Sequence, residues 1–309
     1  GYQNNNYVEY TEGLNTLERG KGYWLIAKDQ TTLDTGSGNT LLEDDLPFTF
    51  DLERGWNLIG NPYNMNIAWL DILDFNGIVS QGNFDVFKTF ENGYRQSGVL
   101  ESFKGAFIFS DSSTTLFVPV EKNLVIQGRS QNNQPSKFQD EHNWEVDLSL
   151  STQSLSNEIG GFGMRRDANV SKDPYDQVRL PQFIDYLDIS FPKHEYFAKE
   201  FSKDVVPTTN QHIWEFTVET NSNDPKVKLD WPDLELAEFE EELWLYHRDL
   251  EIAINMRDVG FYEFSNQRSH NFAVYFGDKD FINQALQPEV ISLTTAYPNP
   301  FREELTVTF

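Results

Sequence analysis

Period-two alternation is what most constrains this chain. In five separate stretches the apolar residues fall at every second position: Trp144, Val146, Leu148 and Leu150; Trp214, Phe216 and Val218; Val227, Leu229 and Trp231; Ile252, Ile254 and Met256; Phe272, Val274 and Phe276. Side chains alternate across a strand, so each run presents one apolar face, whereas a helix would scatter the same residues around its axis. The residues between them include Glu145, Asp147, Glu215, Glu219, Lys228 and Asn255, which suits sheets with one face toward solvent. Many short strands joined by turns predict an all-β fold, with a β-sandwich or jelly-roll over residues 138–288. Asp233 to Leu243 stands apart. There Leu234, Ala237 and Glu241 could share a helical face, and the acidic content equally suits a surface loop.

Residues 1–126 carry a different regularity, a repeat at a separation of about 83 residues. Leu17, Lys21, Gly22, Thr31, Thr32 and Leu33 fall on Leu100, Lys104, Gly105, Thr114, Thr115 and Leu116, and Trp24-Leu25-Ile26 falls on Phe107-Ile108-Phe109. Each copy reads as a glycine turn, an apolar strand, a polar turn and a second strand. Gly55-Trp56-Asn57-Leu58-Ile59-Gly60-Asn61-Pro62 opens the second copy and has no counterpart before Gly1. The first copy is therefore expected to be truncated, and the 309 residues to be a window on a larger protein. Between this pair of small β modules and the sandwich, residues 127–137 turn polar, with Gly128, Ser130, Asn132, Asn133 and Pro135, and read as a linker.

Composition narrows the function classes. A chain that is 39% hydrophobic and 15% aromatic has enough apolar surface to fold. No run of about 18 apolar residues and no charged-then-apolar leader is present, so neither a membrane span nor a signal peptide is expected in this stretch. A formal charge of −25 repels phosphate, which argues against nucleic acid and favours cations or basic partners. The absence of cysteine removes disulfides, thiol catalysis and thiolate metal sites, and is compatible with an extracellular home.

Catalytic patterns are weak throughout. No Gly-x-Ser-x-Gly occurs, and His142, His194, His212, His247 and His270 are dispersed without the i, i+4 pairing of a zinc-binding helix. His247-Arg248-Asp249-Leu250 imitates a kinase catalytic loop but lacks the phosphate loop and metal-binding motif that would accompany one. Scattered carboxylates leave a glycosidase open, without a local concentration to support it. The expectation is a chain that is not an enzyme. The sharpest candidate site is for calcium: Asp167, Asn169, Ser171 and Asp173 alternate in a turn-rich stretch, with Asp176 nearby. Lys172 and Val178 stand where an EF-hand needs Gly and Glu, so the site would be irregular. No other cofactor is expected. Trp24, Trp56 and Trp69 read as core aromatics or, were their indoles exposed, as a platform stacking on sugar rings of a surface polysaccharide.

The final residues, Ala296-Tyr297-Pro298-Asn299-Pro300-Phe301, fix an extended backbone through two prolines, and Leu305, Val307 and Phe309 then alternate with threonines. This pattern resembles the opening of the type A C-terminal sorting domain of type IX secretion cargo. Residues 289–309 would then be the start of an incomplete Ig-like sorting domain, and Tyr297, Pro298, Asn299, Pro300 and Phe301 a signal engaging the type IX secretion machinery. Gly-Lys-Gly-Tyr-Trp followed by Gly-Trp-Asn-Leu-Ile-Gly-Asn-Pro resembles a small β module of large Bacteroidetes surface proteins. Gly161-Phe162-Gly163, Asp173-Pro174-Tyr175-Asp176, Trp214-Glu215-Phe216 and the stretch from Phe272 to Gly277 resemble the β-rich domain preceding such signals. These likenesses imply a non-catalytic structural or presentation region of a secreted or outer-surface protein. The alternatives are a carbohydrate-binding or adhesive module, and a subunit that joins other copies of itself by strand complementation.

Overall fold

A computed structural model of the chain describes residues 1–3, 6–9, 16–29, 32, 47–78, 87–91, 93–120, 138–140, 142–232, 240–286, 295–297 and 306–308. Within them regular structure is almost wholly strand, with two short helices, Trp69–Phe75 and Lys279–Ala285. The fold is all-β, and none of its described helices is long and apolar enough to cross a membrane.

The largest sheet has ten strands. Its order is Phe138–Asp140, Asn143–Asp147, Gly161–Arg165, Glu200–Pro207, Leu187–Pro192, His212–Thr220, Ser269–Gly277, Glu242–His247 and Ile252–Asn255, with Gln177–Val178 also pairing to Glu200–Pro207. Among the described strands, only Gly161–Arg165 and Glu200–Pro207 pair in parallel. A four-stranded sheet of Ser156–Asn157, Ser149–Ser151, Lys226–Asp230 and Phe261–Ser265 shares its core, giving a sandwich-like arrangement. The alternation marks the inward positions: Trp144, Val146, Leu148, Trp214, Phe216, Val218, Val227, Leu229, Phe272, Val274 and Phe276 are buried. Ile252 departs from the pattern and is exposed; among the described strands Ile252–Asn255 is an edge that pairs only with Glu242–His247. That neighbour begins at Glu242, inside the stretch with helical or loop character; residues 233–239 lie outside the described ones.

In the first region Gly55–Gly60, Gly105–Ser110, Phe87–Phe90 and Tyr94–Ser97 form a four-stranded sheet, and Phe48–Leu52 pairs with Thr114–Val118. Helix Trp69–Phe75 has a signal distinct from alternation: Trp69, Ile72 and Leu73, at i, i+3 and i+4, are its buried face. The second repeat copy supplies strands Gly105–Ser110 and Thr114–Val118, as expected. The first copy differs, because residues 22–27 form no strand. Gly55–Gly60 is paired along its length by Gly105–Ser110 on one side. On the other, among the described residues, it receives only Gly22 N–H to Leu58 O (3.0 Å), Gly60 N–H to Gly20 O (2.9 Å) and a bridge from Lys21 to Ile59. A Cβ at Gly22 would stand 2.6 Å from the Ile59 carbonyl oxygen, so this close approach requires glycine.

The linker at 127–137 lies outside the described residues, and the regions on either side share a core. Trp56, Leu58, Tyr94, Phe107 and Phe109 belong to the same apolar cluster as Trp144, Phe162, Leu187 and Phe216. Trp56 Nε1 donates to Arg179 O at 2.8 Å, and the Tyr94 hydroxyl to Pro181 O at 2.7 Å. The opposite face of the first sheet holds its own core, with Phe50, Ile59, Ile72, Phe87, Leu100 and Ile108.

Candidate metal centre

The alternating acidic stretch folds into a loop closed by its own amides. Asp173 accepts from Asn169 N at 2.7 Å and from Tyr175 N at 2.8 Å, and Asp176 from Asp173 N at 3.1 Å and Val205 N at 2.9 Å. Both side chains are buried, which raises the Asp173 pKa and pushes Asp176 up to about 7. Asp167 points elsewhere, accepting from the Tyr175 hydroxyl and from Arg165 Nε, and Asn169 is exposed with Ser171 half-buried. A cation does serve this loop, but it is internal. Lys193 Nζ donates to Val170 O at 2.9 Å and pairs with Asp204 at 2.6 Å. Of the five residues proposed for calcium, Asp176 bonds the strand Glu200–Pro207 through Val205 N, Asp173 closes the loop on its own amides, and Asp167 turns to Tyr175 and Arg165.

The three tryptophans are packed separately. Trp56 and Trp69 are buried in different cores, and Trp24 is half-buried with its ring stacked on Phe183 at 4.3 Å. They share no exposed face, so the sugar platform does not form from this trio. Trp56 does line an open cleft of about 500 Å³ between the regions, together with Phe109, Phe197, Arg179 and Glu200. There the Arg179 guanidinium is engaged by Glu219 (2.7 Å), Glu200 (2.8 Å) and Asp188 (3.3 Å). In the tail, Thr295–Tyr297 pairs antiparallel with Thr306–Thr308, while Pro298, Asn299, Pro300 and Phe301 lie outside the described residues.

One cluster escaped the reading of the histidines as dispersed. His247 ends the strand Glu242–His247, His270 begins the inward face of Ser269–Gly277, and Asp249 follows in the turn. The signal was phase: His247 continues the inward series Leu243, Leu245, and His270 extends Phe272, Val274, Phe276 backward by one step. His247 Nε2 lies 3.0 Å from His270 Nδ1, and Asp249 Oδ2 lies 3.8 Å from His247 Nε2. Among the described residues, this is the one group of three His, Asp or Glu side chains whose donor atoms approach closely enough to share an ion.

The proton pattern follows from a donor with no alternative role. Gln267 N–H donates to His270 Nε2 at 3.1 Å, so in a neutral ring the proton sits on Nδ1 and points at His247 Nε2. His247 then carries its proton on Nδ1, facing the Tyr262 hydroxyl at 3.1 Å. Burial, and after it the neighbouring His270, lower the His247 pKa to about 4; burial lowers that of His270 as well. The result is a polar relay through otherwise apolar packing. It joins Glu242–His247 and Ser269–Gly277 of one sheet to Phe261–Ser265 of the other. Asp249 is held by Asn271 N at 2.6 Å and Asn271 Nδ2 at 2.9 Å.

A second polar layer lies on the outer face of the large sheet. Glu145, Asp147, Arg165 and Lys203 meet there, Lys203 Nζ being 2.6 Å from Glu145 and 3.5 Å from Asp147. Burial alone would lower the Lys203 pKa; Glu145 and then Asp147 more than offset it and hold it raised. No family model, curated protein or solved structure matches this chain.

Proposed function

We propose that this chain is a non-catalytic presentation region of a large protein exported by type IX secretion to the outer surface or the medium, with residues 289–309 opening its sorting domain. The observation that carries the reading is the tail. Ala296-Tyr297-Pro298-Asn299-Pro300-Phe301 combines the proline-fixed sorting pattern with a backbone in which Thr295–Tyr297 pairs to Thr306–Thr308, as the first hairpin of such a domain would. A scaffold role is further supported by the disposition of the ionic clusters. Asp173, Asp176, Arg179, Lys193 and Lys203 are tied to amides, carbonyls or opposite charges that fasten loops to sheets.

Export of the full-length protein tests the reading. Replacing Pro298 and Pro300 together by alanine releases the fixed φ angles. The expected result is accumulation of folded protein inside the cell envelope with loss from the surface and medium. Unchanged export would refute the sorting assignment.

A further inference from the structure

We propose that His247 Nε2, His270 Nδ1 and the Asp249 carboxylate form a binding site for a divalent transition-metal ion of the zinc class. This inference is independent of the export reading. The donor set is two imidazole nitrogens and one carboxylate, which suits zinc and its neighbours and is poor for calcium or magnesium, both of which take oxygen. Three protein ligands also leave a fourth position for water or an exogenous group.

Distances support the assignment. Metal–nitrogen bonds of about 2.0–2.1 Å at a tetrahedral angle place two nitrogens about 3.3–3.4 Å apart. His247 Nε2 and His270 Nδ1 are 3.0 Å apart, so they must open by only a few tenths of an ångström. Asp249 Oδ2, at 3.8 Å from His247 Nε2, must close by about half an ångström, within the range of a turn side chain. Asp249 lies at the surface while both imidazoles are buried, which gives an ion a path from solvent to nitrogen.

The surroundings are organised as a metal site's outer shell is. His247 already carries the tautomer required, with Nε2 unprotonated and Nδ1–H directed at Tyr262. His270 must move its proton from Nδ1 to Nε2, which requires the Gln267 N–H to release that nitrogen. Asn271 fixes the carboxylate through two hydrogen bonds. The ion replaces the one shared proton that now bridges the two rings. The register His247↔Phe272 between the two paired strands keeps the ligands aligned. The formal charge of −25 raises the local concentration of cations.

The test uses the full chain, stripped with chelator and titrated with Zn²⁺ under a competing chelator, followed by calorimetry and thermal unfolding. One saturable equivalent with a rising melting temperature is expected. Asp249→Asn and His270→Gln should abolish tight binding, and Tyr262→Phe should weaken it by about 10–100-fold. His194→Gln, at an exposed histidine outside the cluster, should leave it intact. ¹⁵N spectra should show the His270 proton moving from Nδ1 to Nε2 on addition of Zn²⁺, a change that a purely structural relay would not produce. If His270→Gln fails to fold, Asp249→Asn, altered only at the surface, carries the decision together with the ¹⁵N spectra of the wild type. Absence of saturable binding, unchanged binding in Asp249→Asn, or unchanged tautomers in the presence of Zn²⁺ would each overturn the proposal.

Discussion

The two halves of this molecule solve the same problem with different chemistry. In the first region, connections are fastened by neutral groups. Asn61 Nδ2 donates to Met65 O and Leu100 O, Asn76 Nδ2 donates to Ile72 O and Phe117 O while its Oδ1 accepts from Phe117 N, and the Tyr63 hydroxyl donates to Val118 O. Among its described residues Lys88 is the single buried ionic side chain. In the second region buried ionic or titratable groups are common: Glu145, Asp173, Asp176, Asp188, Lys193, Lys203, His247 and His270. A neutral staple loses little when it is removed from water with its partners in place, whereas a buried charge is strongly destabilising once its partner is gone. The first region should therefore be tolerant of polar substitution, and the second sensitive to it.

Substitutions can break or sharpen that contrast. The largest effect is expected for Lys203→Met, which leaves the buried Glu145 with Arg165 at 3.5 Å in place of its 2.6 Å partner and should cost about 3–5 kcal/mol in denaturant unfolding. Adding Glu145→Leu should recover much of the loss; failure to recover would show that the layer contributes net stability. In the first region the comparable cost should come only from apolar truncation. Leu100→Ala, at a fully buried position, should lower stability by about 2–5 kcal/mol through the cavity it leaves. Next comes Asp176→Asn, where the amide can accept only one of the two N–H groups that Asp176 now serves, for a loss of about 1–3 kcal/mol.

Asp176 also gives a pH signature. A carboxyl whose folded pKa is raised to about 7 binds more protons folded than unfolded. Its contribution is therefore fully present below the ordinary carboxylate range and is lost as pH rises through about 7. Asp176→Asn should flatten the fall in stability between about pH 4 and 7, read from denaturation midpoints. The smallest effect is expected for Asn76→Ala, about 1 kcal/mol, since its partners at Phe117 lie near solvent. A cost above that of Lys203→Met would invert the comparison.

Legibility in the sequence follows the same division. Strands with one solvent face announce themselves, so Trp214, Phe216, Val218 and Phe272, Val274, Phe276 could be placed by phase alone. Helix Trp69–Phe75 was not read because seven residues span too little of the 3.6 period to outweigh neighbouring strands. The first repeat copy matched its partner in letters but not in ladder bonds, since pairing depends on which side of Gly55–Gly60 is free. The acidic loop stands out in the sequence by its alternating carboxylates. Its function as a latch was hidden, because spacing shows where carboxylates stand and not that Val205, some thirty residues on, offers the amide. His247 and His270 were legible only jointly: each continues an inward series, and their approach to 3.0 Å depends on the pairing of their two strands.

The single parallel pairing among the described strands, Gly161–Arg165 beside Glu200–Pro207, has a consequence for how the chain reaches this state. Parallel neighbours cannot be joined by a tight turn, so the intervening segment must be threaded across before the ladder closes. The long pairing of His212–Thr220 with Ser269–Gly277 adds a second distant closure. Local hairpins such as Glu242–His247 with Ile252–Asn255 can form early, but the sheet centre waits for contacts far apart in sequence. Refolding should accordingly be slow for a chain of this size, and its late step should be the one that brings Lys203 over Gly161 and shuts the acidic loop.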